Sequence, residues 1–400
     1  MQLSIKNKEC ISLLGGLCFF LSLVEYMIPK PIPFIRIGLA NMPLILAIDI
    51  LPFPGFVLLV LLKIIGNSLI GGTLFSYVFI FSLGATLISS LIMYVIRKVF
   101  GKKGISLIGI STAGAMVSNT VQLILAYFIV FGRSVYYMAM PVYLVGLISG
   151  IFLGCICEYF KNNSRWYAGR WDAVKGDAKI GMPPLYSSIE KNTQQSMQNK
   201  PPSLMNNFSS IELAIAGFIM LIAFLFNSDT ATKILQALFF FLLVLLSGKK
   251  INYLMSLFSM SVIILFNLLN PYGEILFEIA AFKITLGALQ SGLNRAFTLT
   301  GLLMLSRFSI RRDLSLPGFF GEIITESFKV FSEMEYIKLN RKNLLSGIDE
   351  ALIRLDITME GQGKSSSDIK NKTVLKKNIF HPRQLLLALP IIIAWILFFL

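Results

Sequence analysis

Acid–base and metal chemistry have little to work with in this chain. One histidine, His381, stands in 400 residues, and the four cysteines, Cys10, Cys18, Cys155 and Cys157, lie in or beside apolar runs. A zinc site needs three or four such ligands close together, so no metal is expected and the cysteines read as small packing residues. G-x-S-x-G is absent, which with a single histidine argues against a hydrolase triad. The GKS at Gly363 to Ser365 lacks the glycine that a phosphate loop places five residues earlier, where Thr358 stands. No aspartate-rich DDxxD pair is present to hold magnesium on a diphosphate. The chain is therefore expected to be no enzyme, with no catalytic residue and no cofactor.

Charge is scarce as well. Charged residues make up 14% of the chain against 55% hydrophobic ones, and the mean hydropathy is +0.73. A soluble chain of this length would lack the polar surface to cover itself. The apolar residues fall in long blocks divided by short basic loops, the layout of a polytopic membrane protein. The net charge of +15 follows from the excess of lysine and arginine in cytoplasmic loops, not from nucleic-acid binding. Lys6 and Lys8, the run from Arg97 to Lys103, the segment after Phe160 and the tail after Ser306 are the basic places. An N-terminus in the cytoplasm puts all of them on one side of the cell membrane.

The first half predicts six helices, near 9–28, 36–52, 55–71, 75–96, 105–131 and 136–159, with the membrane domain taken as 1–160. At 1.5 Å per residue each spans, or nearly spans, the hydrocarbon core. Residues 161–208 lose the apolar pattern and carry two Pro-Pro pairs, so they read as a polar cytoplasmic linker. The second domain, 209–400, predicts spans near 211–227, 231–247, 251–270 and 280–305, a polar cytoplasmic segment over 307–382 and a final span. The fold class is all-α, with about eleven transmembrane helices. Within the cytoplasmic segment Ile324, Phe328, Phe331, Met334 and Ile337 repeat at near-helical spacing. Such a helix either lies on the membrane or a partner, or packs under its own bundle.

Polar residues inside these spans are the informative exceptions, because an ionisable group in hydrocarbon costs about 2.5–3.5 kcal/mol on insertion scales. Arg36 lies at the outer mouth of the second helix and reads either as a snorkelling interfacial cation or as a ligand contact. Asn41 lies deeper, and Asp49 near the inner end. Lys63 is near the middle of the third helix with Asn67 four residues on, so both share a face. Lys63 either clasps a carboxylate such as Asp49 or contacts a substrate. Asn119 and Gln122 share a face of the fifth helix, as interhelical hydrogen bonds or as ligand contacts. In the second half Lys283, Gln290, Asn294 and Arg295 form a separate set, better suited to contact with another helix than to catalysis.

The stretches RIGLANMPLILAIDI, LLKIIGNSLIGGTLFS and SNTVQLILAYFI resemble the Gx transporter family, whose members are often labelled heptaprenyl diphosphate synthase component I. The resemblance covers about residues 9–160. That family looks like the substrate-binding S components of energy-coupling factor transporters, six-helix modules. The resemblance implies Arg36, Asn41, Lys63, Asn67, Asn119 and Gln122 as substrate-binding positions. From about residue 210 the chain more loosely resembles the transmembrane T component of the same transporters, a five-helix bundle, carried by FNLLNPYGEILFEIAAFKITLGALQSGLNRAFTLTGLLMLSR. T components grip their ATPases with Ala-Arg-Gly-type triplets; this chain has none, and RKNL at Arg341 is its nearest basic stretch.

Two functions are expected from this reading. One is a transporter subunit that binds and moves a small anionic metabolite of the flavin or isoprenoid and quinone-precursor class, with ATPase subunits as possible partners. The other is a non-catalytic membrane subunit that associates with a polyprenyl diphosphate synthase subunit or an electron-transfer assembly. Membrane lipid surrounds the protein in both.

Overall fold

A computed structural model describes residues 5–27, 38–175, 208–227, 229–249, 253–279, 282–311, 318–336, 344–363 and 384–399. Almost all of them are helical. The first region comprises α1 (Ile5–Met27), α2 (Met42–Ile50), α3 (Phe53–Gly71), α4 (Tyr77–Gly104), α5 (Leu107–Ala126), α6 (Val135–Asn163) and α7 (Arg165–Lys175). The second comprises α8 (Ser210–Phe226), α9 (Thr230–Leu246), α10 (Tyr253–Leu268), the strands β1 (Ile275–Ile279) and β2 (Phe282–Thr285), then α11 (Leu286–Ser309), α12 (Gly318–Tyr336), α13 (Leu344–Gly363) and α14 (Gln384–Phe399).

Local chemistry sets these boundaries. Prolines open α2 and α3 in their first turn, where a missing N–H costs nothing. The helix expected over 36–52 therefore begins only at Met42, after a 3-10 turn at Leu39–Asn41. Ser106 caps α5 by accepting the N–H of Gly109, and Ser209 with Glu212 forms a capping box on α8. Two expectations shift. Where a helix is expected over 280–305, β2 pairs antiparallel with β1, with Glu278 opposite Lys283 in the register, and α11 begins only at Leu286, because β-branched and aromatic residues alternate in both strands. Helical structure also continues through α7, into the segment read as a linker, since Trp166 and Tyr167 are buried.

Four stretches are long and apolar enough to cross a membrane: Asn7–Glu25, Phe53–Gly71, Tyr77–Gly101 and the run Leu107–Asn163. Shorter apolar helices are Leu39–Ile50, Ser210–Phe226, Thr230–Leu246, Tyr253–Leu268 and Leu387–Phe399. Large apolar side chains stay exposed on α4, α5 and α6, among them Val95, Val99, Ile124, Met140 and Ile148. In water such a surface would drive association; in a bilayer it is the ordinary face toward lipid.

The core crosses the boundary between the two regions. Ile11, Leu14, Phe19, Leu62 and Cys157 share one buried cluster with Ile324, Phe331 and Leu352 from α12 and α13. A second cluster joins α8, α9, α11 and α14 around Met220, Phe240 and Leu305. Contacts step along α1 and α12 in the same direction. Lys8 pairs with Glu326 at 2.9 Å, and Phe19 lies 5.2 Å from Phe328 between ring centroids. Between them α12 sits in a notch at Gly15 and Gly16. A Cβ on Gly16 would lie 2.4 Å from Val330, so only glycine admits the helix at this distance. The amphipathic repeat of α12 is thus spent on the chain's own first helix. Ile337 lies outside the described residues.

α7 and α13 are joined by polar contacts. Asp349 accepts the backbone N–H groups of Arg165 and Trp166, each at 3.1 Å, and the hydroxyl of Ser164. A carboxylate from another helix thereby caps the N-terminus of α7. Seven residues on, Asp356 accepts the Trp166 indole N–H at 3.0 Å and an ion pair from Arg170.

Candidate functional site

The third helix carries Lys63 into an apolar setting, with Leu62 and Ile64 buried beside it and Lys63 only 6% exposed. Its ammonium donates to Asn41 Oδ1, at the end of the 3-10 turn that opens α2. The same turn is anchored from α1. The N–H of Gly38, which has φ +82, donates to Glu25 Oε1 at 3.2 Å, and Glu25 is itself buried. Three elements therefore meet around the 3-10 turn, bringing a cation, a carboxylate and an amide into one polar locus. Cys18 lies within electrostatic reach of Lys63. One turn further along α3, Asn67 holds a buried side-chain oxygen with no hydrogen-bond partner among the described residues. A buried acceptor left unsatisfied costs about 1–3 kcal/mol, so such a group invites a donor from outside the chain.

Asp49 is not the partner expected for Lys63. Arg97 of α4 takes it bidentately, Nε to Oδ1 at 2.9 Å and Nη2 to Oδ2 at 2.7 Å. Lys161 of α6 approaches at 3.7 Å. The side chains of Asp49 and Arg97 are almost wholly covered, at 1% and 6%, and Arg97 Nη1 also donates to the carbonyl of Ile105. The reason is depth: α2 separates Asn41 from Asp49 by about 12 Å along its axis. The phenol of Tyr167 is pushed up by burial and by the Asp49 charge beside it, which keeps it a neutral hydrogen-bonding group. This knot ties α2, α4 and α6 to the start of α7.

Asn119 and Gln122 lie elsewhere. Asn119 Nδ2 donates to the carbonyl of Val142 at 3.0 Å and fills the space over Gly146, where a Cβ would meet it at 1.8 Å. Gln122 donates to Ser118 one turn back on its own helix at 3.2 Å. Asn119 thus serves the packing of α5 on α6, and Gln122 bonds within α5. The six positions implied by resemblance thus divide. Lys63 meets Asn41, Asn67 stands one turn on along the same helix, Asn119 belongs to the α5–α6 interface, Gln122 bonds within α5, and Arg36 lies outside the described residues. Glu25 was missed by sequence reasoning; its signal was a carboxylate near the end of an apolar run. Arg97 was read only as part of a basic loop.

The described residues contain no group of three or more histidine, cysteine or acidic side chains placed to hold a metal ion. Fold and composition together define an all-α polytopic membrane protein. Residues 14–160 match the family described as heptaprenyl diphosphate synthase component I. Residues 211–312 match a second family, described only as a domain of unknown function (DUF8519), and the resemblance to a T component finds no further support there. No curated protein and no solved structure matches the chain.

Proposed function

We propose that the chain is a membrane subunit whose N-terminal region binds a small anionic metabolite at the Lys63 locus and moves it across the membrane. The observation that carries this reading is the meeting of Lys63 with Asn41 and the adjacent unsatisfied oxygen of Asn67. A buried cation flanked by amide groups favours an anion that also carries hydrogen-bond donors. The family description of residues 14–160 favours an isoprenoid or quinone precursor over a flavin. The chain itself supplies no catalysis, and ATPase subunits, where transport is driven, come from separate chains. The orientation with the N-terminus in the cytoplasm belongs to the same proposal.

A second reading rests on the same family description: a non-catalytic membrane component of heptaprenyl diphosphate synthase, serving as an anchor for a soluble subunit. That reading needs a docking surface. The described part of the 307–382 segment already spends the apolar faces of α12 and α13 on α1 and α7, which favours the binding role.

Mass spectrometry of small molecules that copurify with the wild type and with Lys63→Met separates the two. Met preserves side-chain length and removes the charge. A ligand present in the wild type and lost in the folded variant supports the binding role. Copurification of a prenyl synthase subunit, equal in both proteins and with no small molecule in either, supports the anchor and rejects the binding role.

A further inference from the structure

The polar set of the second region is divided by the fold. Lys283 pairs with Glu278 across the hairpin at 3.2 Å, Gln290 is exposed, and Asn294 accepts the hydroxyl of Thr298 one turn on. Arg295 instead reaches across to the first region, at the corner between α5 and α6. There the helix widens into a π turn at Tyr127–Phe131, and Gly132 follows in a positive-φ conformation, φ +58. Widening the turn diverts backbone carbonyls from their usual i+4 partners, and side chains of the second region supply donors. Asn267 Nδ2 and Arg295 Nη1 each donate to the carbonyl of Val130 at 3.1 Å. Asn270 Nδ2 donates to Ser134 Oγ at 2.8 Å.

The arginine's bonding is one-sided. Nη1 has two hydrogens, and both are used, by Val130 and by Asn267 Oδ1 at 3.2 Å. Among the described residues, the Nε and Nη2 groups meet no acceptor and no carboxylate forms an ion pair with Arg295. The guanidinium is planar. Its Nε–Nη2 edge is a planar two-donor fork that matches a phosphate or carboxylate, and the Nη1 bonds already fix its orientation. Arg133, exposed, is the residue after Gly132 and adds a second cation at the same corner. The α5–α6 turn lies at an end of the helices, the level at which lipid headgroups sit against a spanning bundle.

We infer that Arg295, held by Val130 and Asn267 and assisted by Arg133, forms a binding site for a phosphate-bearing anion at the α5–α6 corner. This site is independent of the Lys63 locus. The anion is either the headgroup of an anionic phospholipid or a free phosphate compound, and the two share the recognition chemistry.

The test uses the full chain, purified in detergent and stripped of lipid, with short-chain phosphatidylglycerol and inorganic phosphate as separate probes read by native mass spectrometry. The wild type is expected to retain at least one probe about tenfold more strongly than Arg295→Gln, the effect of losing charged hydrogen bonds. Arg295→Lys should bind more weakly than wild type, because a point charge lacks the fork. Arginine-dependent retention of phosphatidylglycerol alone identifies a lipid site, and arginine-dependent retention of phosphate alone identifies a soluble anion. Equal retention by wild type and Arg295→Gln, or no retention by the wild type, overturns the inference. Should Arg295→Gln fail to fold, Arg295→Lys and Arg133→Gln carry the test, and wild-type retention by both overturns it equally.

Discussion

Lys63 and Arg97 are both cations buried in the first region, and they are held in different ways. Arg97 meets a carboxylate through two parallel bonds and a backbone carbonyl through a third. That arrangement cancels charge and satisfies donors together, as a structural ion pair must if its desolvation is to be offset. Lys63 donates to an amide oxygen, a contact that orients the ammonium. The comparison teaches that burial alone does not mark a binding residue; the chemical type of the partner does. One cation fastens helices, and the other is the one that the proposed function assigns to a ligand.

Breaking the first arrangement should cost stability, and breaking the second should cost binding. The largest effect is expected from Asp49→Ala, which leaves Arg97 buried without its carboxylate. A loss of about 3–5 kcal/mol is expected, read as a lowered melting temperature of the protein in detergent. Gly16→Ile, which forces a side chain into Val330, should cost about 1–3 kcal/mol. It should also raise the cleavage rate of α12 in limited proteolysis, because α12 approaches α1 most closely at this notch. Asp349→Ala removes the cap of α7 and should cost about 1 kcal/mol in the same melting assay. Asn119→Ala should cost about 0.5–1.5 kcal/mol through its bond to Val142, and should leave ligand retention at the wild-type level. Loss of ligand in Asn119→Ala would join the two interfaces that the structure separates.

Much of the helical layout was legible because the apolar blocks match the length of a bilayer crossing and end at glycines, prolines and basic loops. What the sequence could not show was which helices lie side by side. Asp49 precedes Lys63 by less than four helical turns of chain, yet its depth suits Arg97, which is far along the sequence. Asn119 reads like a ligand amide until the close approach of Gly146 shows that it fills a helix interface. The hairpin at 275–285 was hidden inside a run apolar enough to pass for the start of a span. The apolar face of α12 was visible as a period, but its partner, the glycine notch on α1, required the fold.

The division of labour between the two cations is tested most directly by ligand retention in Lys63→Met beside Asn119→Ala, with melting temperature recorded for each. The account predicts that the small molecule carried by the wild type is lost only from Lys63→Met, with both variants folded. Retention at wild-type level in a folded Lys63→Met protein would contradict it.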